Sequence, residues 1–474
     1  MRSQGIKGPP YKFLYGSTKD IMNMKMDSTK NPMLEVSHNL FPRIQPDIYA
    51  WKKLYGNNFL AWYGPIPLLV VTDSKLMKEV FMEKAYARPK YLGPTKKLVG
   101  DGIIAAKGER WAKLRKLANQ GLNGESLKGM IPAMVTSVEE MLERWRAHEN
   151  NEIEVFEEFR VLASDIISRT AFRSSYLEAK RVFEILGNMT SIISKSQLKI
   201  NLSIIGKLFK SRDDLELDKM EKEIKNIVSR LIKNREEKVK KGEANGFGSD
   251  YLGLLMEAHH DSDKTNNVTE EEMIDECKTL YIAGYETTRN FLTWTVLLLA
   301  LHQEWQEKAR KEVLELFGKN NPDPQAIGKM KTMTMVANES LRLYPPVDFV
   351  IREAESEVRL GDLVLPANTY LHLSSLVVHQ NTQIWGEDAH LFKPDRFAEG
   401  VSKATNNNPA AFVPFGLGTR ICAGLNFALA EAKVALSMIL QRYALTLSPT
   451  YIHSPISRVT IQPQHGVQVI LHPL

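Results

Sequence analysis

A mainly helical fold with a small β region is what this sequence predicts, and three observations predict it. Apolar residues recur at helical spacing over most of the 474 positions. Residues of strand type, β-branched and aromatic, gather in only a few short stretches. One helical pattern runs without proline from Thr269 to about Ala300, roughly 45 Å at 1.5 Å per residue, long enough to cross the whole body.

Taken in order, Gly8-Pro9-Pro10 is a stiff entry segment. Phe59 to Thr72 holds strand residues on both sides of a Gly-Pro turn, which predicts two short strands. The long helix begins on a capping box of Thr269 and Glu272, with Glu270 and Glu271 at the positive end of its dipole. Its middle should be apolar but reads Ala283-Gly284-Tyr285-Glu286-Thr287-Thr288. Val358 to Leu373 is strand material broken at Pro366 and Asn368, and a last pair is expected at Ala444–Leu447 and Val467–Leu471. A helix follows Cys422, over Leu425 to Tyr443. Polar stretches at Lys240–Gly248, Gly318–Gly328 and Ala398–Pro409 read as loops, and none marks a boundary. With no internal repeat or low-complexity segment, residues 1–474 read as one domain.

Composition is ordinary for a globular chain at 43% hydrophobic and 25% charged, which removes the disordered and fibrous classes. The net charge of +6 is interspersed along the chain, so nucleic acid is not the expected partner; an acidic protein or an anionic membrane face suits it. Two cysteines, Cys277 and Cys422, exclude a disulfide framework and a four-cysteine zinc site. A reducing compartment is the simplest setting. No apolar run approaches the ~18 residues needed to span a bilayer. The richest, Phe291 to Leu301, is short, and the N-terminus carries no signal-peptide core.

The run Phe415-Gly416-Leu417-Gly418-Thr419-Arg420-Ile421-Cys422-Ala423-Gly424 carries the chemistry. Its glycines mark a backbone that bends sharply or is closely approached. Cys422 stands before a helix start, whose dipole favours a thiolate, a soft ligand for iron. A dinucleotide loop is excluded because Ile421 replaces the third glycine of that fingerprint. The loop alone also fits a small core residue. Cys277, near the start of the long helix, reads as plain packing.

Phe415, Gly418, Arg420, Cys422 and Gly424 resemble in spacing the haem-binding loop of the cytochrome P450 superfamily. The other marks occur in the expected order. Ala283 to Thr288 resembles the oxygen-binding helix motif, and Glu339-Ser340-Leu341-Arg342 followed by Pro345-Pro346 resembles the Glu-x-x-Arg element. Phe392 to Phe397 resembles the aromatic-Pro-x-Arg-Phe element, and Trp111 with Arg115 the haem-facing helix. Gly100-Asp101-Gly102-Ile103-Ile104, Ile167 to Phe172 and Ala411 to Phe415 are similar to plant microsomal members, closest to the clan of terpenoid, gibberellin and cytokinin hydroxylases.

The resemblance implies the cytochrome P450 fold, its long oxygen-binding helix lying over haem b. Cys422 would be the iron ligand, and a cysteine thiolate favours O–O cleavage. Trp111, Ala283, Phe415 and Gly424 would contact the haem, with Trp111, Arg115, Arg352 and Arg420 serving its propionates; His379 is a further candidate, but a satisfied interior or surface histidine is the favoured reading. Thr287 would hydrogen-bond dioxygen, Glu286 would relay protons, and Gly284 would let oxygen sit against the helix. A threonine hydroxyl can also bond the carbonyl one turn back, whereas a buried carboxylate without a role is costly. Glu339, Arg342 and Arg396 would form a structural ion-pair triad. Substrate contacts are expected from Tyr91–Lys107, Ser194–Leu208, the long helix before Glu286, Pro346–Val350 and His453–Ile456. Among these Tyr285, Val347, Asp348 and Phe349 are singled out, Asp348 as an anchor for a substrate hydroxyl or amine.

The implied reaction inserts one oxygen atom of dioxygen into a C–H bond of a lipophilic plant metabolite, terpenoid-like, and releases the other as water. Electrons would come from NADPH through a flavoprotein reductase, with cytochrome b5 a second donor. Arg110, Lys113 and Lys116 would offer the reductase a basic face. Natural members carry an N-terminal membrane helix on the endoplasmic reticulum, facing the cytoplasm. Gln4 to Pro10 resembles the end of that region, so an anchor is expected ahead of it. The rival readings are a reductase-independent haem-thiolate isomerase or dehydratase, and a catalytically idle haem or ligand-binding protein.

Overall fold

The computed structural model describes residues 1–91, 93–197, 211–262 and 267–474. Its principal helices are α1 (Thr18–Thr29), α2 (Pro46–Tyr55), α3 (Gly108–Leu122), α4 (Gly124–Trp145), α5 (Val155–Phe172), α6 (Tyr176–Gln197), α7 (Glu270–Leu301), α8 (Lys331–Leu343) and α9 (Leu425–Leu440). One sheet orders five strands as β1 (Asn58–Tyr63), β2 (Ile66–Val71), β5 (Thr369–Ser374), β4 (Phe349–Ala354) and β3 (Tyr86–Ala87). The mainly helical class with a small β region is what the structure shows.

The long helix begins as its sequence dictates. Thr269 Oγ1 accepts the Glu272 N–H at 3.2 Å while Glu272 Oε2 accepts the Thr269 N–H at 2.9 Å. These reciprocal bonds satisfy two donors that a helix start otherwise leaves open. Its 32 residues are buried from Phe291 to Ala300 by α5, α8 and α9 packed around it. That burial is why the apolar run exists. No helix among the described residues is long and apolar enough to cross a membrane.

The two strands around the Gly-Pro turn pair antiparallel, Phe59 facing Val70 and Tyr63 facing Ile66. Val358–Leu360 pairs with Leu363–Leu365, and Asn368 makes the break before β5 in the left-handed region at φ 62°. Tyr443–Leu447 pairs with Gln468–Pro473, as expected of the last strands. Other expectations need correction. The helix after Cys422 ends at Leu440, because Tyr443 is already the first residue of that strand. Val401–Ala404 makes a helical turn inside the loop 398–409. β4 overlaps Pro346–Val350, expected as substrate contacts, and holds Arg352, expected at the propionates, but no strand was expected there; its pairing to β5, Ile351 facing His372, is what forms it. The short strand Glu152–Glu154 likewise exists through its partner Gln468–Pro473.

Candidate active site

A cavity of 2020 Å³ lies between α7, the α9 start and the five-stranded sheet. Cys422 reaches it on the loop before α9. Gly418, at φ 74°, has no room for a Cβ against the Phe81 carbonyl, which is why glycine holds that turn. The Cys422 N–H donates to the Phe415 carbonyl at 2.9 Å, closing the loop, and the side chain is exposed to the cavity space. Burial pushes the thiol up, against the lowering by the Gly424 N–H and Arg115. The helix-start argument for a thiolate is therefore outweighed by desolvation in the protein alone; a bound metal ion deprotonates such a thiol by its own charge.

Around that loop the charge is unusual. Arg115 donates to the Ile421 carbonyl, Arg420 donates to the Ala106 carbonyl at 2.8 Å, and Arg420 lies 4.3 Å from the Trp111 ring centroid. Burial, then the charges of Arg88 and Arg420, bring Arg352 down to about 9. Burial, then Arg88 and Arg115, bring Arg420 down to about 10. None of these four arginines has a carboxylate within ion-pair distance among the described residues. Crowded cations, Arg352 buried and Arg88, Arg115 and Arg420 half-buried, without counter-charge fit a polyanionic group seated among them, as the two propionates of haem would be. Arg352 is buried just behind the cavity wall rather than on it, its one donated bond going to the Ile351 carbonyl at 3.3 Å. Arg88, which lines the cavity, escaped sequence reading, since nothing in Ala87-Arg88-Pro89 distinguishes it.

The middle of α7 supplies Ala283, Gly284, Glu286 and Thr287 to the same cavity. Thr287 Oγ1 donates to the Ala283 carbonyl at 2.7 Å. Glu286 is buried, and its Oε1 accepts from Arg289 at 2.8 Å and from Thr460 at 2.9 Å. Asn290 in turn donates to Thr460 Oγ1 at 2.9 Å and to the Glu286 carbonyl at 2.8 Å, so the carboxylate and Thr460, both on the cavity wall, are held in one closed set of hydrogen bonds.

A cysteine-bearing loop, a cationic cluster and a long helix carrying Glu286 and Thr287 therefore meet in one cavity. The cytochrome P450 family model matches residues 34–470. The chain belongs to the cytochrome P450 family. Cytochrome P450 CYP749A22 of Panax ginseng is 52% identical over 475 residues, covering 100% of this chain and 91% of the relative. Cytochrome P450 734A1 of Arabidopsis thaliana is 39% identical, covering 98% and 90%. The 11-oxo-beta-amyrin 30-oxidase of Glycyrrhiza uralensis is 38% identical, covering 100% and 92%. The chain is thus a plant-type P450 monooxygenase, and its family cofactor is haem iron.

Within this P450 several singled-out residues stand elsewhere than expected. Tyr285 does not line the cavity. It is buried on the opposite side of α7, edge-on to Phe183 of α6 at 5.3 Å. At about 100° per residue, Tyr285 points roughly 200° away from Ala283. Asp348 neither faces the cavity nor turns to solvent. It is buried, and its Oδ2 accepts from Gln45 at 3.1 Å, while the neighbouring Val347 and Phe349 do line the cavity. Gly284 is explained by packing, because a Cβ there would lie 2.9 Å from Ile167 Cδ1 of α5. The expected room for oxygen is room for that side chain.

Glu339 and Arg342 are fully buried and paired twice at 2.7 Å, and Arg396 Nε stands 3.5 Å from Glu339 Oε1. Arg342 also donates to the carbonyls of His379 and Ala389 at 2.8 and 2.7 Å, tying α8 to the segment before the Cys422 loop. His379 is an interior residue whose Nε2 accepts the Val413 N–H at 2.9 Å. Cys277 is fully buried, as a packing role requires. Of the expected substrate segments, Tyr91, Ile103, Ser194, Pro346 and Ile456 line the cavity, and 198–208 lies outside the described residues. Of the three basic residues offered to a reductase, Arg110 pairs with Glu272 at 3.0 Å and Lys113 donates to the Asn267 carbonyl, while Lys116 is exposed.

Proposed function

We propose that the protein hydroxylates a lipophilic, terpenoid-like plant metabolite, using electrons that reach it from NADPH through a flavoprotein reductase. The supporting observation is the meeting of Cys422, the unpaired arginines and the Glu286–Thr287 pair in one large cavity. When bound, haem iron supplies the activation of dioxygen; one oxygen atom enters the C–H bond, and the other leaves as water with two protons and two electrons.

Cys422 would ligate the iron, and Arg115, Arg352, Arg420 and Trp111 would hold the propionates, with Arg88 as a fifth group; Ala283, Phe415 and Gly424 would contact the haem. Thr287 presents a hydroxyl to the cavity: its branched side chain has a second helical rotamer available, so the bond to Ala283 can be exchanged for one to dioxygen. Glu286 with Thr460 delivers protons to that point. The intact Glu286–Thr287 pair favours this reading over a reductase-independent isomerase, which needs no delivered protons, and over an idle binding protein. Glu339, Arg342 and Arg396 hold the Cys422 loop from behind and take no part in the chemistry.

The whole chain acts as one catalytic domain. Lys116 contributes the free charge of the face offered to the reductase, or to cytochrome b5, and salt weakens that association. Endoplasmic reticulum membranes are the expected location, with the catalytic body on the cytoplasmic side. The deciding experiment is the absorption spectrum of the purified reduced protein with carbon monoxide. A strongly red-shifted Soret band, absent in Cys422→His, supports the assignment; a spectrum typical of a histidine ligand in the unaltered protein refutes it.

A further inference from the structure

Two adjacent histidines and a glutamate, brought by two helices, meet away from the substrate cavity. Glu236 stands about one turn before the end of the helix Arg212–Lys240. His259 is the last residue of the helix Tyr251–His259, and His260 is its C-cap. Glu236 and His259 are half-buried, His260 is exposed, and none of the three lines the cavity. One ligand atom of each lies within 4.8 Å of the others. Two imidazoles with one carboxylate are a donor set for zinc and its neighbours, whereas magnesium and calcium take oxygen ligands.

The histidine rings are held from outside the cluster. His259 Nδ1 donates to the Val268 carbonyl at 2.6 Å. A carbonyl can only accept, so the proton is on Nδ1 and the lone pair is on Nε2. A backbone carbonyl on the other ring nitrogen is the usual partner of a metal-bound imidazole, because it fixes the tautomer and the ring. His260 stacks on Phe247 with centroids 4.9 Å apart and planes 12° apart, and its Nε2 meets Glu236 Oε1 at 3.3 Å.

The backbone beside the cluster is fixed as well. Arg235, next to Glu236, donates to the Phe247 carbonyl at 3.2 Å and to Asp250 Oδ1 at 2.6 Å. Asp250 in turn caps the helix that carries the histidines, accepting the Gly253 N–H at 3.1 Å. Both helices are therefore joined immediately beside the three ligands.

We propose that Glu236, His259 and His260 form a binding site for a divalent transition-metal ion of the zinc class, with water as the fourth ligand. Binding releases the proton that His260 and Glu236 share, since a ligating imidazole is neutral. Through His259 the ion ties both helices to Val268, one residue before the Thr269 cap of α7. Its effect is on the stability of the frame around the long helix, and the reaction in the cavity proceeds without it.

The test titrates zinc chloride into chelator-treated, haem-loaded protein by isothermal calorimetry, with magnesium chloride in parallel. Zinc should bind as a single ion per chain, and magnesium should not bind. At about a hundred-fold excess over Kd, zinc should raise Tm by about 2–3 °C. His259→Ala, His260→Ala and Glu236→Gln should each weaken zinc binding by at least about 10- to 100-fold, the loss that even a partner behind a metal ligand causes. None of the three side chains is in the core, so each variant should keep the carbon-monoxide band, which reports its fold. No zinc binding by the unaltered protein, equal binding of magnesium, or zinc affinity that survives either histidine substitution overturns the proposal.

Discussion

Glu276→Gln separates the cost of a buried charge from the shape that surrounds it. Glu276 sits in α7 with its Oε2 accepting from the Tyr251 hydroxyl at 2.6 Å and its Oε1 from the Ile103 N–H. The Gly100–Ile104 turn packs so tightly here that a Cβ on Gly102 would lie 2.5 Å from Thr279 Oγ1 and 2.8 Å from Glu276 Oε1. Burial pushes the carboxyl up from 4.5 to about 7, against both hydrogen bonds and Arg110. Because the folded value lies above the unfolded one, the group's contribution to stability is fully present below about 4.5 and is lost as pH rises through about 7. The shift of roughly 2.5 units corresponds to about 3 kcal/mol, of which about 2 kcal/mol falls between about pH 5.5 and 8. Glutamine cannot ionise, yet it keeps the shape and an acceptor for Ile103. At about 2.1 cal/mol/K per residue, a chain of this length unfolds with an entropy near 1 kcal/mol/K, so the variant's Tm should gain on the parent by about 2 °C over that range. Paired thermal melts followed by circular dichroism measure it, since every other titrating group is common to both proteins. A Tm gap that stays constant with pH would refute the assignment of a buried, titrating carboxyl at Glu276.

Glu339→Ala strands the fully buried Arg342 without its partner, which costs about 3–5 kcal/mol; the expected outcome is a sharp fall in haem-loaded protein, read from the carbon-monoxide band per mass of protein. Gly284→Ala drives a methyl group into Ile167 and should cost about 1–3 kcal/mol by overpacking, and its Tm loss should be smaller in an Ile167→Val background than in the parent. Thr287→Ala should keep NADPH consumption but divert electrons from product to hydrogen peroxide; unchanged coupling, measured as product and peroxide per NADPH, removes Thr287 from the proposed proton delivery.

The sequence was most legible where a pattern of residues is its own cause. The capping box at Thr269 and Glu272 is local chemistry, and both of its bonds are present in the structure. The strands flanking Gly64-Pro65 are likewise made by neighbours in the chain. The loop around Cys422 was legible as a bent backbone, its Gly418 closely approached by Phe81, but its role was read only with the other family marks along the chain. The five-stranded sheet was only half visible. β3 is held by a partner, β4, more than 200 positions away in the chain, a relation that composition does not encode, and β4 is made a strand by its pairing to β5.

Side-chain direction was the weaker part, and the reason is the same. Tyr285 and Asp348 were singled out for their chemical type beside a motif, yet one helix step or one residue at a strand's start decides whether such a group meets the cavity or its surroundings. The 200° separation of Tyr285 from Ala283 could have been counted from the helix period alone. Asp348 could not, because its environment is made by Gln45, some 300 residues away. In the fold as it stands, the acid that reads as a substrate anchor in sequence is a structural group, held by a glutamine that no motif marks.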